Sequence, residues 1–213
     1  MTTSQTAWRI PPQAASFTIG TGALDSYEDQ HAVHETVAAL EQTGEALAYV
    51  RQLDYGGHTV VCRDRAAADA LARQLRRLPL SLAIGAPRAG LRETVGQART
   101  VRGRWVRQSG GPGQFGIVDL LVAPLPGAGL VRFRSALSGA EPISPFYIPA
   151  VARGVWEAVC ADGPQGHPLA DLDVTLVGGA EHPVDSRASS FTRAARLALR
   201  GALEQAGLVV RAR

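Results

Sequence analysis

The chain has 213 residues, 46% of them hydrophobic and 19% charged, with a formal net charge of +3 and an isoelectric point near 9.3. That composition excludes a disordered chain, leaves room for one large domain or two small ones, and is too mildly basic to name a partner. All 22 basic residues are arginine, so a Walker-type phosphate loop and Schiff-base chemistry, which both need lysine, are excluded. The arginine bias reads either as GC-rich coding or as planar, bidentate contact with phosphate.

Residues 1–14 read as a flexible leader, because Pro11 and Pro12 oppose helix. "ASFTIGT" predicts a strand, and 25–47 a helix capped by Asp25 or Ser26, with Val33, Val37 and Leu40 at helical spacing. "ALAYVRQL", "DYGG" and "HTVVCR" predict a hairpin, residues 65–78 an alanine- and leucine-rich helix, and "PLSLAIG" a closing strand. The order β-α-β-β-α-β over 15–95 is the ferredoxin-like signature. Arg88, Arg92, Arg99, Arg102, Arg104 and Arg107 then face a single acid, Glu93, in the seam to a second domain, 96–213. That domain reads as strands at 100–107, 117–123 and 129–134, a helix "AVARGVWEAVC", a strand "LADLDVTLV" and a helix 189–207. Asp185 or Ser186 is placed to cap the last helix and Gly207 to end it. The fold class expected is α+β.

Cys62 and Cys160 make neither a disulfide framework nor a metal site, and His31 and His34 read as a solvated surface pair. The first residues hold no apolar signal core and no run is long enough to span a bilayer, so a reduced, cytoplasmic protein off the membrane is expected.

"RQSGGPGQFG", Arg107 to Gly116, satisfies G-x-G-x-x-G at Gly111, Gly113 and Gly116. A dinucleotide fingerprint opens a helix, whereas "IVDLLV" follows here and reads as a strand, so no bound nucleotide is expected. Two readings remain open: a plain hairpin tip, or a loop whose donors Arg107, Gln108, Ser109 and Gln114 meet phosphate and sugar while Phe115 stacks on a base. His182 and Asp185 together invite a hydrolase reading, but no nucleophile accompanies them, and no catalytic residue, metal or cofactor is expected.

These residues resemble a known family. "RWVRQSGGPGQFGIVDLLVAPL" looks like the opening of domain IV of translation elongation factor G, with its R/K-Q-S-G-G-R-G-Q-Y/F-G pattern. "PFYIPAVARGVWEAVCADGPQGHPLADLDVTLVGGAEHPVDSRASSF" is similar to the family's Y-I-P-A-V, G-x-x-E-A, G-x-P-x-x-D-x-x-V-x-L and H-x-V-D-S-S segments, and "GAPRAGLRETV" to G-x-P-x-V-x-Y-R-E-T. The unit before it falls where the family keeps domain III, although "VCRDRAAAD" replaces G-M-G-E-L-H-L-E there. The family's GTPase, barrel and last domains are not in this sequence.

The resemblance implies a non-enzymatic protein that presents two tip loops, 107–116 and 178–186, to the decoding region of the small ribosomal subunit. The first would use Arg107, Gln108, Ser109, Gly110, Gly111, Gly113, Gln114 and Phe115. The second would use His182, which aligns with the family's tip histidine, with Asp185 and Ser186. Arg88, Arg99, Arg102 and Arg104 would add phosphate contacts. Modulation of translation and protection of the ribosome are the roles the resemblance offers. Glu181 and Pro183 around His182 depart from the family's translocation loop, and Pro112 in place of the family's arginine, with the changed small-domain motif, keeps open another class: a module that binds a protein and not the ribosome.

Overall fold

Phe17 and Ile19 are buried on either side of exposed Thr18, the alternation that makes a one-sided strand of β2 (Ala15–Ile19). The computed structural model describes residues 5–9, 14–20, 27–44, 46–52, 57–80, 82–89, 91–108, 113–137, 143–161 and 163–212. The chain divides into two units: Ile10–Arg92 with Cys160–Pro168 and Arg211–Arg213, and Met1–Arg9 with Glu93–Val159 and Leu169–Val210. The chain first passes from one unit to the other between Arg92 and Glu93.

In the first unit β2 is followed by α1 (Tyr27–Gln42), β3 (Ala46–Gln52), β4 (Gly57–Cys62), α2 (Arg65–Leu75) and β5 (Arg88–Ala89). The sheet order is β3-β4-β2-β5 with antiparallel pairs throughout, the ferredoxin-like arrangement. Ala67, Ala68, Leu71, Ala72 and Leu75 recur at helical spacing and bury one stripe of α2, in one apolar cluster with Phe17, Val33, Val37 and Val60. The closing strand expected at 79–85 is reduced. Gly20 N–H donates to Ala83 O and Gly85 N–H to Thr18 O, Ile84 makes one bridge to Ile19, and the ladder resumes only at β5. Pro79 and Pro87, which have no N–H, bound the stretch. The expected cap Asp25 or Ser26 and most of the "DYGG" turn lie outside the described residues.

Asp64 caps α2, its Oδ1 accepting from Ala67 N–H at 2.8 Å. That backbone hydrogen bond, then Arg63 beside it, holds the carboxyl below the ordinary aspartate range. A depressed folded value means the stabilisation is complete above about pH 3.9, the unfolded value, and is lost as pH falls through the lower folded value. Asp64→Asn keeps an acceptor but not the charge. Urea midpoints measured down the acid limb should therefore fall less steeply in the variant than in the wild type.

The second unit is a five-stranded sheet in the order β1-β9-β10-β8-β7, made of β1 (Gln5–Arg9), β7 (Arg99–Arg107), β8 (Gln114–Pro124), β9 (Leu130–Ser135) and β10 (Leu172–Ala180). Residues 5–9, expected within a loose leader, instead form β1, paired antiparallel with β9. Exposed Ala7 and Thr6 give that edge strand too weak a period to read. β9 and β10 are parallel and joined through α3 (Ile148–Cys160), while β10, β8 and β7 pair antiparallel. Gly116, Val118, Leu120 and Val122 alternate inward on β8. α4 (Ala188–Gln205) buries Phe191, Ala194, Ala195, Ala198, Leu199 and Ala202 over β7 and β8. Small residues dominate that stripe because backbone lies against it: a Cβ on Gly103 of β7 would fall on Ala194 O and 2.8 Å from Ala198 N, and one on Gly154 of α3 on Thr192 O.

Neither expected cap serves α4. Its N-cap is Arg187, with no side-chain bond, because Ser186 and Asp185 are engaged in the preceding loop. Gly207, at φ +69°, follows the last turn as expected. Two short strands absent from the sequence reading, β6 (Leu91–Val95) and β11 (Leu208–Ala212), pair as a small separate sheet. No helix among the described residues is long and apolar enough to cross a membrane.

Candidate functional site

At one end of the five-stranded sheet β7 leaves the ladder at Arg107, opposite Gln114 where β8 begins. Residues 109–112 of the connecting loop, with Ser109, Gly110, Gly111 and Pro112, lie outside the described residues. β10 pairs with β8 as far as Ala180 opposite Ile117, and the loop to α4 then takes over. Phe115 N–H donates to Asp185 O at 3.0 Å, and Ser186 Oγ donates to Phe115 O at 3.0 Å, so both backbone groups of Phe115 are satisfied by the second loop. The two loops form one clipped structure.

Inside the second loop Ser186 N–H donates to His182 O at 3.2 Å, and Ser186 Oγ accepts from His182 N–H at 2.8 Å. His182 Nδ1 accepts from Asp185 N–H at 3.2 Å and from Val184 N–H at 3.4 Å, and stands 3.4 Å from Asp185 Oδ2. Nδ1 is thus engaged inside the loop, and among the described residues Nε2 has no partner. The ring is half exposed and lies 5.9 Å from the Phe115 ring, tilted by 46°.

The glycines have a reason in protein packing. A Cβ on Gly113 would stand 2.5 Å from Asp185 Cγ and 2.6 Å from Gln108 Oε1, and one on Gly116 2.8 Å from Ser190 C. They let the second loop and the first turn of α4 close on β8. A third segment joins them. Ser144 N–H donates to Glu181 Oε2 at 2.8 Å, Tyr147 OH donates to Ser186 O at 3.2 Å, and the Tyr147 ring stacks on Phe191 at 4.3 Å. Phe146 and Val184 are left 76% and 80% exposed.

Residues 87–207 match the family model of elongation factor G, domain IV, over more than half of the chain. The chain belongs to the elongation factor G domain IV family. It is also similar to the crystal structure of ttk003000868 from Thermus thermophilus, at a TM-score of 0.53 and 22% identity, over 95% of this chain and 30% of that one. The chain thus spans about a third of the length of that protein, and the likeness at this identity concerns the fold.

The translation-factor-like domain IV brings Gln108, Gly113, Phe115, His182, Asp185 and Ser186 together, with Arg107 and Gln114 at the facing ends of β7 and β8. The arginines expected to meet phosphate are more scattered. Arg102 is held by Asp119 through a fork of 2.7 and 2.8 Å, and that hydrogen-bonded carboxylate raises a pKa that is already high. Arg88 belongs to the other unit and donates to the carbonyls of Gln165 and Gly166. Arg99 and Arg104 are exposed on β7.

Trp105 and Arg193 were not legible as site residues. Trp105 Nε1–H donates to Gln114 Oε1 at 2.8 Å, Arg193 donates to the same oxygen at 3.3 Å, and the guanidinium groups of Arg107 and Arg193 both lie over the indole ring. Trp105 stands two residues from Arg107 on one strand face, a signal the sequence carried. Arg193 comes from α4, a distance in sequence that no local spacing spans.

Proposed function

We propose that this domain IV presents its clipped tip to structured RNA of the small ribosomal subunit, as a non-catalytic ligand of the decoding region. The observation that carries the reading is the junction of Phe115 with Asp185 and Ser186, which sets the His182 ring beside the glycine loop. A histidine ring, a stackable aromatic and nearby arginines suit unpaired bases and phosphate. The non-catalytic reading is supported by Ser186, the hydroxyl beside the His182–Asp185 pair among the described residues, whose Oγ proton is engaged by Phe115 O.

The test is co-sedimentation of the purified chain with small and large subunits at two salt concentrations, beside His182→Ala/Gln114→Ala. The expected result is binding to the small subunit that weakens steeply with salt, by about 0.7 in log–log slope for each single-strand phosphate neutralised, and that the variant loses. Equal sedimentation of the variant, or a flat salt response, would overturn the reading. The exposed Phe146 and Val184 favour a second one, a protein partner at the same tip. A stoichiometric protein retained by the wild type in the absence of RNA, and lost in Phe146→Ser/Val184→Ser, would select it.

A further inference from the structure

Acids hold five arginines of this unit: Asp119 holds Arg102, Asp173 holds Arg132 and Arg134, and Glu157 holds Arg153 and Arg196. Arg107 and Arg193 have no ion pair among the described residues. Their guanidinium carbons instead lie 4.2 and 4.7 Å from the centroid of the Trp105 ring. Stacking engages the flat face of a guanidinium and leaves its in-plane N–H groups, which match the paired oxygens of a phosphate. Gln114 Oε1 fixes the set by accepting from both Trp105 Nε1–H and Arg193. Trp105 and Arg107 share the strand face of Gly103, the face that packs on α4, so the stack sits on the flank of the tip where β7 and α4 run side by side.

We infer that Trp105, Arg107 and Arg193 form a clamp for the phosphodiester backbone of an RNA strand entering the tip from the α4 side. Two like charges held against one ring repel each other, and an anionic chain that meets the N–H groups of both relieves that repulsion. A sugar–phosphate chain supplies one such charge per nucleotide and needs no particular base, so the clamp positions the strand and does not read it. The inference rests on the RNA reading above and adds the residues that grip the backbone.

The experiment is a salt series of equilibrium binding to purified small subunits for the wild type, Arg107→Gln/Arg193→Gln, Trp105→Leu and Trp105→Phe, with thermal midpoints recorded for all four. Loss of two phosphate contacts should make the double variant's slope of log K against log salt shallower by about 1.4 to 1.8. Its affinity at low salt should fall at least about 10-fold, the loss of roughly 1.4 kcal/mol. Trp105→Phe keeps a ring but loses the Nε1–H bond to Gln114 and should bind more weakly than the wild type, while Trp105→Leu loses ring and bond together, keeps both charges and should bind more weakly still. An unchanged slope in a folded double variant, with wild-type binding intact, overturns the clamp and leaves the tip reading standing. A wild type that binds no subunit at any salt sinks the tip reading and the clamp with it. Equal binding of polyglutamate and subunit RNA through the same two arginines would make this a general anion site and overturn the assignment.

Discussion

Gly103→Ala should lower the thermal midpoint of the chain by about 10 °C, read by calorimetry or circular dichroism. The added methyl group has no free volume to enter. It would fall on Ala194 O and within 2.8 and 2.9 Å of Ala198 N and Ala194 C, all backbone atoms of α4 that no rotamer change can move. Relief requires the helix to lift from β7, and forced overpacking of this kind costs about 1–3 kcal/mol, of a total that is itself about 5–15. At about 4 °C per kcal/mol for a domain of this size, the upper end of that range gives the shift stated. Gly201→Ala on the same helix is the matched control. A Cβ there meets only Val101 Cγ1 at 3.2 Å and Gln205 Nε2 at 3.7 Å, both side-chain atoms. Alanine also gains about 1 kcal/mol of helix propensity over glycine, so that variant should melt at or above the wild type.

If the tip binds the small subunit as proposed, Ser186→Ala should weaken that binding by about 10-fold while moving the melting midpoint little. The hydroxyl does two things at once: it donates to Phe115 O and accepts from His182 N–H. Its removal leaves a carbonyl and an amide without their partner, at about 1–3 kcal/mol if the two stay dry. The loop can relieve this by opening to water, which separates the His182 ring from Phe115. A ligand that needs the closed tip then sees a smaller competent fraction, and its apparent affinity falls in proportion. Ser186→Thr keeps the hydroxyl and should retain most binding. If Ser186→Ala binds like the wild type, the clip is not what prepares the tip.

Much of this architecture was legible because periodicity is local. The alternation on β8 and the alanine stripe of α4 each declare a buried face within a few residues, whereas the pairing of two loops at one tip was implied only by the family resemblance of the motifs around Gly113, Gly116 and His182. What escaped was long-range. β1 is a short edge strand whose partner, β9, lies far along the chain. The strand expected at 79–85 has its apolar pattern, but two prolines bound it and the ladder breaks. Asp185 and Ser186 have the right chemistry and nearly the right position for a helix cap. Tertiary partners on β8 and His182 compete for them and win. Trp105 was hidden for the same reason, since its meaning depends on an arginine from another element.

β7 ends the five-stranded sheet, pairing with β8 on one side and, among the described residues, with no strand on the other. A strand of that length with an open ladder is a template on which a second copy could add itself, the first step toward fibrous aggregation. Its exposed positions are Arg99, Thr100, Arg102, Arg104 and Arg107. Two such edges meeting would bring four guanidinium side chains against four of their kind. In a chain without lysine it is arginine that charges that border, and the like charges of Arg99, Arg104 and Arg107 oppose edge-to-edge pairing of two copies.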